Sequence, residues 1–294
     1  MKAFMKKPTL SIITINFNNN NGLLQTLESI KSQTYKDYEH IIIDAGSTDG
    51  SENTIRNYSK ETSHLTYWVS EKDKGIYDGM NKGIKQAKGE YLYFLNSGDC
   101  LQNDILKDIP FDGTQYIYGD MVLIEQRGKR ERIAPDYPSL IFFFYDSLSH
   151  QACFIHHSLF TEKLYNTRYK IISDWAHSVE SIIIKNCSYR HIPHIIAECD
   201  GSGISSNYTN VQAERIKWFQ ENFSKQLYST LIDTLEYNKS MFSNIIPILN
   251  RSRKFQKRVY KLVKFLLKVH LLLTKKSKYK NDKNSILYHP FPFR

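Results

Sequence analysis

Three short stretches of this chain set carboxylates, amides and hydroxyls directly after apolar runs. YLYFL stops at Asn96-Ser97-Gly98-Asp99, HIII stops at Asp44-Ala45-Gly46-Ser47-Thr48-Asp49-Gly50, and LSIITI stops at Asn16-Phe17-Asn18. Carboxylate and amide oxygens beside a phosphate suit Mg2+ or Mn2+. A rim built from these stretches therefore suits a nucleotide, with Asp44 toward the base or ribose and Asp99 toward a metal on the phosphates. Each stretch taken alone also reads as turn chemistry, DAGSTDG as a β-turn leading into a helix cap and NSGD as a tight turn. Asn19, Asn20 and Asn21 read as a solvated loop.

The elements around these stretches alternate. LSIITINF is β-rich. NGLLQTLESIKSQ carries Leu23, Leu24, Leu27 and Ile30 at helical spacing. YEHIIID reads as a short, wholly apolar strand, and SENTIRNYSK as a helix start with Ser51 as its cap. LTYWVS is a third strand, IYDGMNKGIKQAKG a helix ending at Gly89, and YLYFLN a fourth strand. Strands alternating with helices imply crossover connections and an α/β fold, with a mainly parallel sheet covered on both faces. Ligands of such sheets bind beyond the carboxyl ends of the strands, which puts all three stretches on one rim. After Asp99 the pattern changes. A hairpin is expected over Tyr116–Ile124 and Arg130–Ile133 with its turn near Gly128. An irregular apolar segment follows, then a helix from about Asp174, a last strand within SYRHIPHIIAECDG, and a helical pattern over 210–249 with no obvious chemistry.

Bulk properties narrow the function classes. The 294 residues are 41% hydrophobic, with 20 Tyr and 16 Phe, enough for one large domain with an appendage and unlike a disordered chain. Cys100, Cys153, Cys187 and Cys199 form no Cys-x-x-Cys pair, so free thiols in a reducing compartment are expected and a structural zinc site is not. The apolar run after Lys2, Lys6 and Lys7 is too short to span a membrane and lacks a small-residue cleavage site. The net charge of +10 is concentrated at the end: Arg251–Arg294 holds fourteen Lys and Arg against Asp282 alone, and the preceding 250 residues hold 26 against 29 acids. The basic character belongs to the tail. There is no Walker-type phosphate loop, no Gly-x-Gly-x-x-Gly after a strand, no Gly-x-Ser-x-Gly elbow and no His-Glu-x-x-His.

LSIITINFNN, LESIKSQTYKDYEHIIIDAGSTDGS and SEKDKGIYDGMNKGIKQAKGEYLYFLNSGD together resemble the family 2 glycosyltransferases, from Thr9 to Asp99 almost without a break. The likeness resumes at SHQACFIHHSLF and YKIISDWAHS and ends near CDGSGIS. It implies the fold known as GT-A, inversion at the anomeric carbon, and a role in assembling bacterial surface polysaccharide. It also implies residue roles. Asn16 and Asn18 line the nucleotide pocket, Asp44 contacts the uracil or ribose side, and Asp49 belongs to the same motif while mainly holding its loop. Asp73, Gly75, Asp78 and Asn81 approach the donor, joined by Asn96 and Ser97. Asp99 is the last carboxylate of the metal-binding DxD motif. Ser97 takes the place of its first Asp, so a Mg2+ or Mn2+ ion would rest on Asp99, the donor diphosphate and waters. Asp174 in ISDWAH takes the place of the catalytic base, which a sugar hydroxyl needs as it attacks; alone it reads as a helix N-cap before Trp175. His150 and Gln151 contact donor phosphate or acceptor, or are structural. Trp175 packs or stacks on an acceptor sugar.

The resulting organisation is a GT-A domain over 1–210, its nucleotide-binding half about 1–100 and its acceptor half about 101–210, followed by a helical extension over 211–294. Within 250–274, Phe255, Val259, Leu262, Leu266, Val269 and Leu273 recur at helical steps while Lys254, Lys257, Arg258, Lys261, Lys264 and Lys268 fall elsewhere on the wheel. A basic amphipathic helix of this kind either lies on an anionic membrane or packs on the domain with its basic face solvated. The leading function is metal-assisted transfer of one sugar from a nucleotide-sugar, foremost a UDP-sugar, to a glycan or lipid-linked glycan. The expected place is the cytoplasm, on the inner face of the plasma membrane. The alternatives are a nucleotidyltransferase-like enzyme and a non-catalytic nucleic-acid-binding protein using the tail. No specific nucleic-acid partner is expected, because the body is slightly acidic and carries no recognised motif.

Overall fold

The computed structural model describes residues 7–126, 128–201 and 208–239, and beyond these only 258, 261–262 and 264–266. The chain forms two compact units, 1–224 and 225–294. The first unit opens with strand β1 (Leu10–Asn16), helix α1 (Asn20–Lys31), β2 (Tyr38–Asp44), α2 (Ser51–Glu61), β3 (Leu65–Ser70), α3 (Ile76–Gln86) and β4 (Tyr91–Phe94). These strands pair in parallel in the order β3-β2-β1-β4, the crossover arrangement that the alternation dictates.

The sheet then changes character. It continues through β8 (Cys153–His156), β6 (Tyr116–Glu125), β9 (Tyr189–Asp200) and β5 (Cys100–Leu101), with β7 (Gly128–Arg132) hairpinned onto β6. Here β8 runs antiparallel to both neighbours, β6 and β9 are parallel, and β5 is antiparallel to β9. Two further helices cover this half, α4 (Leu140–Tyr145) and α5 (Ser173–Val179), the latter continuing as a π-helical turn over Glu180–Ile184. Helix α6 (Tyr208–Asn222) completes the unit. Position 210 therefore lies inside α6, whose Trp218 and Phe219 meet Trp175 edge-to-face at 5.2 and 5.4 Å. The two units divide at Ser224/Lys225.

The core lies between sheet and helices. Every residue of β1, β2 and β4 is buried, and Leu10, Ile12, Tyr91, Tyr93, Ile117, Phe154 and Ile196 form one cluster across both halves. The strand YEHIIID is not wholly apolar inside. Glu39 accepts from Ser11 Oγ at 2.7 Å and Thr66 Oγ1 at 2.9 Å. His40, fully buried, meets Thr14 Oγ1 at 3.0 Å and Tyr58 Oη at 3.3 Å. Burial holds the His40 imidazole neutral, its pKa lowered to about 3. Buried polar groups are tolerated here because each finds a partner.

Three expected boundaries differ. Helix α2 is not capped by Ser51; Asp49 does this work, accepting from Ser51 N at 3.1 Å and Ser51 Oγ at 2.6 Å, with Gly50 as the cap residue. Helix α3 ends at Gln86 rather than Gly89. Gly89 answers a packing need instead, since a Cβ there would sit 2.5 Å from Ser11 N. Asn19 and Asn20 are not a solvated loop: Asn19 caps α1, accepting from Gly22 N at 3.1 Å, and Asn20 opens the helix.

In the second half His191 bridges two carboxylates, Asp120 at 2.9 Å and Asp136 at 2.7 Å. Burial opposes its charge, but the two acids outweigh burial and raise its pKa above 6.5. A raised folded pKa gives stabilisation that is full below the unfolded value and lost as pH rises through the folded one. The stability difference between wild type and His191→Gln is expected to be larger at about pH 6 than at about pH 9 in denaturant titrations.

The second unit contributes helix α7 (Lys225–Lys239). The expected basic amphipathic helix over 250–274 lies outside the described residues except for six positions. These are helical, with Leu262, Phe265 and Leu266 exposed at 57%, 62% and 53%. Among the described residues no helix is long and apolar enough to cross a membrane.

Candidate active site

Register sets the first part of the rim. Asn16 pairs with Asp44, and Asp44 with Ser70, at the carboxyl ends of β1, β2 and β3. Asp44 accordingly accepts from Asn16 Nδ2 at 2.7 Å, Ser70 Oγ at 2.5 Å, Ser47 N at 2.9 Å and Ser47 Oγ at 2.5 Å. Burial pushes its carboxyl up, but the donors from Ser47, Ser70 and Asn16 outweigh burial and hold it below its ordinary pKa. The fully enclosed Asp44 is a builder of this loop. Asn18 adopts a positive φ of 46° and locks the loop from the other side, accepting from Thr48 N at 2.8 Å. Asn16 Oδ1 is buried with no hydrogen-bond partner.

The NSGD stretch is both turn and carboxylate site. Gly98 has φ +98°, open to glycine and strained for other residues. Thr26 of α1 binds the turn through its hydroxyl, which donates to Asp99 O at 2.8 Å and accepts from Gly98 N at 3.0 Å. Asn19 Nδ2 donates to Ser97 O at 2.9 Å. The turn thereby presents Asp99, only 7% exposed. Its Oδ2 accepts from Gln151 Nε2 at 3.2 Å. Burial raises the Asp99 pKa to about 6, against the opposing pull of Gln151 and the Cys199 thiol. Asn96 Oδ1, in the same turn, is a second buried acceptor without a partner.

Asn96, Ser97 and Asp99 line a cleft of about 920 Å³ that also takes in Asp174. Asp174 sits in the first turn of α5, not at its cap, which is Ile172. Its Oδ1 accepts from Tyr77 Oη at 2.6 Å, and the same phenol reaches Ile171 O at 2.7 Å. Burial raises the Tyr77 pKa well above its usual value, so the phenol stays protonated as a donor. Among the described residues no donor occupies Asp174 Oδ2.

The other expected residues divide between cleft and scaffold. His150 and Gln151 line the cleft. The His150 ring stacks on Phe94 at 4.8 Å and its Nε2 meets Tyr165 Oη at 2.8 Å. Burial lowers its pKa, so it offers no positive charge to a phosphate at neutral pH. Gln151 orients Asp99. Trp175 is 3% exposed, donates to Phe143 O at 2.8 Å and has the Arg215 guanidinium over its ring at 5.0 Å. It also lines the cleft, with Arg215 over one face of its ring. Asp73 and Asp78 shape the start of α3, accepting from Gly75 N at 2.9 Å and Lys74 N at 3.1 Å. Gly75 supplies the positive φ at the cap. Asn81 spends both amide atoms on Tyr165, donating to its carbonyl at 2.8 Å and accepting from its N–H at 3.0 Å. It ties α3 to the second half and does not line the cleft.

Among the described residues no group of three His, Cys, Asp or Glu is placed to hold a metal by itself. The donor set at the turn is one carboxylate, Asp99, and one unpartnered amide oxygen, Asn96 Oδ1. Both are hard oxygen ligands and fit a Mg2+ or Mn2+ ion that takes its remaining ligands from a diphosphate and water.

A parallel β-half with polar strand ends, joined to a mixed second half across one cleft, is the architecture of the GT-A glycosyltransferases. The likeness extends to solved structures: Staphylococcus aureus TarS 1–349 in complex with UDP-GlcNAc superposes with a TM-score of 0.57 at 15% identity, covering 80% of this chain and 72% of that one. The chain belongs to Glycosyl transferase family 2, whose profile matches residues 11–166. A PGL/p-HBAD biosynthesis glycosyltransferase of Mycobacterium bovis is 30% identical over 220 residues, 72% of this chain and 84% of that protein. An uncharacterized glycosyltransferase of Mycobacterium tuberculosis is 45% identical over 93 residues, which span 31% of this chain and only 34% of its relative.

Proposed function

We propose that the protein transfers one sugar from a nucleotide-sugar, foremost a UDP-sugar, to a glycan or lipid-linked glycan with inversion at the anomeric carbon. The observation that carries this reading is the placement of Asp99 and Asp174 in one cleft, the first on a strand-end turn and the second held by Tyr77. The nucleotide lies over the β1–β2 rim, where Asn16 Oδ1 is an unmet acceptor and Asn18, Asp44 and Asp49 fix the loop. Its diphosphate extends toward Asn96, Ser97 and Asp99. A Mg2+ or Mn2+ ion held by Asp99 and the diphosphate would supply charge neutralisation to the leaving group.

Asp174 takes the proton of the attacking hydroxyl as the new C–O bond forms opposite the leaving diphosphate. Oδ1 is engaged by Tyr77, so Oδ2 is the oxygen that meets the acceptor. Tyr77 is thus a positioning residue for the base. A hydrogen bond to a charged group contributes about 1.5–3 kcal/mol, so Tyr77→Phe is expected to lower kcat roughly 10- to 100-fold while leaving the donor KM near wild type. Equal loss in both constants would show that the phenol serves donor binding instead.

Thermal stability against a panel of UDP- and GDP-sugars, each with and without Mn2+, tests the reading. A ligand that binds only the folded state raises the melting temperature by mass action. The expected result is a shift with UDP-sugars that grows with Mn2+; no shift with any nucleotide contradicts a nucleotide-sugar donor.

The tail reading belongs to the same proposal. The exposed Leu262, Phe265 and Leu266, spaced three and four apart, suit the apolar face of a helix lying on an anionic membrane. Flotation with anionic liposomes should recover the full chain and lose a chain lacking residues 251–294. Equal recovery of both removes the membrane role.

A further inference from the structure

The described cleft ends at α6, beyond the residues that the family profile covers. There Arg215 is buried, 6% exposed, with its guanidinium over the Trp175 ring at 5.0 Å. Its Nε is buried and has no acceptor, and one turn earlier Gln212 Nε2 is in the same condition. The other cleft arginines are paired, Arg130 with Glu125 at 2.8 Å and Arg132 with Asp146. Arg215 has no carboxylate within ion-pair distance among the described residues; burial lowers its pKa to about 10, only partly offset by Asp146 and Asp174 nearby. A buried guanidinium with an unmet N–H and no carboxylate within ion-pair distance is costly to keep unless something supplies the anion.

We infer that Arg215 anchors an anion subsite at the acceptor end of the cleft, and that the acceptor carries a phosphate ester or carboxylate close to its attacking hydroxyl. The inference rests on the sugar-transfer reading and adds the acceptor's chemistry to it. The position beside Asp174 explains why a cation is needed. A neutral glycan would meet the ionised base without penalty, whereas an anionic one is repelled by that carboxylate unless a positive charge stands next to it. The planar guanidinium, held over Trp175, matches a phosphate or carboxylate through paired N–H donors. Lys170, exposed at the mouth of the same cleft, adds a second positive charge on the approach.

The test uses the full chain and three probes at constant ionic strength: glucose 1-phosphate, glucuronate and neutral methyl glucoside, titrated calorimetrically with and without UDP. The expected result is that one or both anionic probes bind more tightly than the neutral one, and that the phosphate and carboxylate arms rank the two acceptor chemistries. Binding should persist with UDP present and weaken about tenfold or more in Arg215→Gln, with UDP affinity unchanged. Arg215→Lys keeps the charge and should fall between them; it also serves if Arg215→Gln fails to fold. Anionic probes that bind no better than methyl glucoside overturn the inference. So does displacement by UDP together with weakened UDP binding in the variant, which would assign Arg215 to the donor diphosphate. A failed sugar-transfer reading looks different: nucleotide-sugars give no stabilisation while anion binding at Arg215 survives.

Discussion

Asp174→Asn is expected to lower kcat by about a thousandfold, within the range that a general base contributes, and to leave donor-induced thermal stabilisation unchanged. The amide is nearly isosteric and keeps an oxygen for Tyr77, whose 2.6 Å hydrogen bond fixes the side chain. What it loses is the capacity to take a proton at the position facing the acceptor. Release of nucleoside diphosphate in the presence of acceptor, followed beside the thermal shift, separates the two effects. Variant turnover within a few-fold of wild type would mean that the proton goes elsewhere. The same experiment divides sugar transfer from nucleotidyl transfer, because only the former needs this base.

Asp99→Asn is expected to remove the part of the donor-induced thermal shift that depends on Mn2+, and to cost on the order of a thousandfold in turnover. The substitution suits the site sterically: Gln151 and the Asn19–Thr26 scaffold of the turn remain. The fold itself should tolerate the change and even gain from it. Burial raises the Asp99 pKa to about 6, so ionising it in the folded protein is unfavourable, and a neutral amide avoids that cost. A variant that is more stable alone but no longer responds to Mn2+ with donor is the expected pattern. An unchanged Mn2+ response would place the cation on other residues.

The alternation of apolar runs was enough to read the parallel half, because β1, β2 and β4 are buried on both faces and each helix shows one apolar stripe. Asp99 was legible as a carboxylate at a strand end, whereas Asp174, in the first turn of α5, was marked out only by the family resemblance. Contacts between distant segments were less visible. Asp44, read as ligand-facing, also accepts from Ser70 and Asn16, which register brings alongside from the neighbouring strands. Asn81 lies in the donor-side motif but turns to Tyr165, 84 residues away. Thr26 looks like one more helix residue until Asp99 folds over it. Tyr77 stood within the motif GIYDGMNKG, but its bond to Asp174, 97 residues away, left no mark in the sequence. Arg215 had no signal in sequence: its significance comes from burial without an acceptor, which only packing reveals.

The most direct measurement of the central claim is the anomeric configuration of the product, read by proton NMR on the glycoside formed from an α-linked nucleotide-sugar. Single displacement with Asp174 as the base predicts a β-linked product and no covalent sugar on the protein. An α-linked product would contradict it, since retention requires a route in which this carboxylate does not simply deprotonate the acceptor on the face opposite the leaving group.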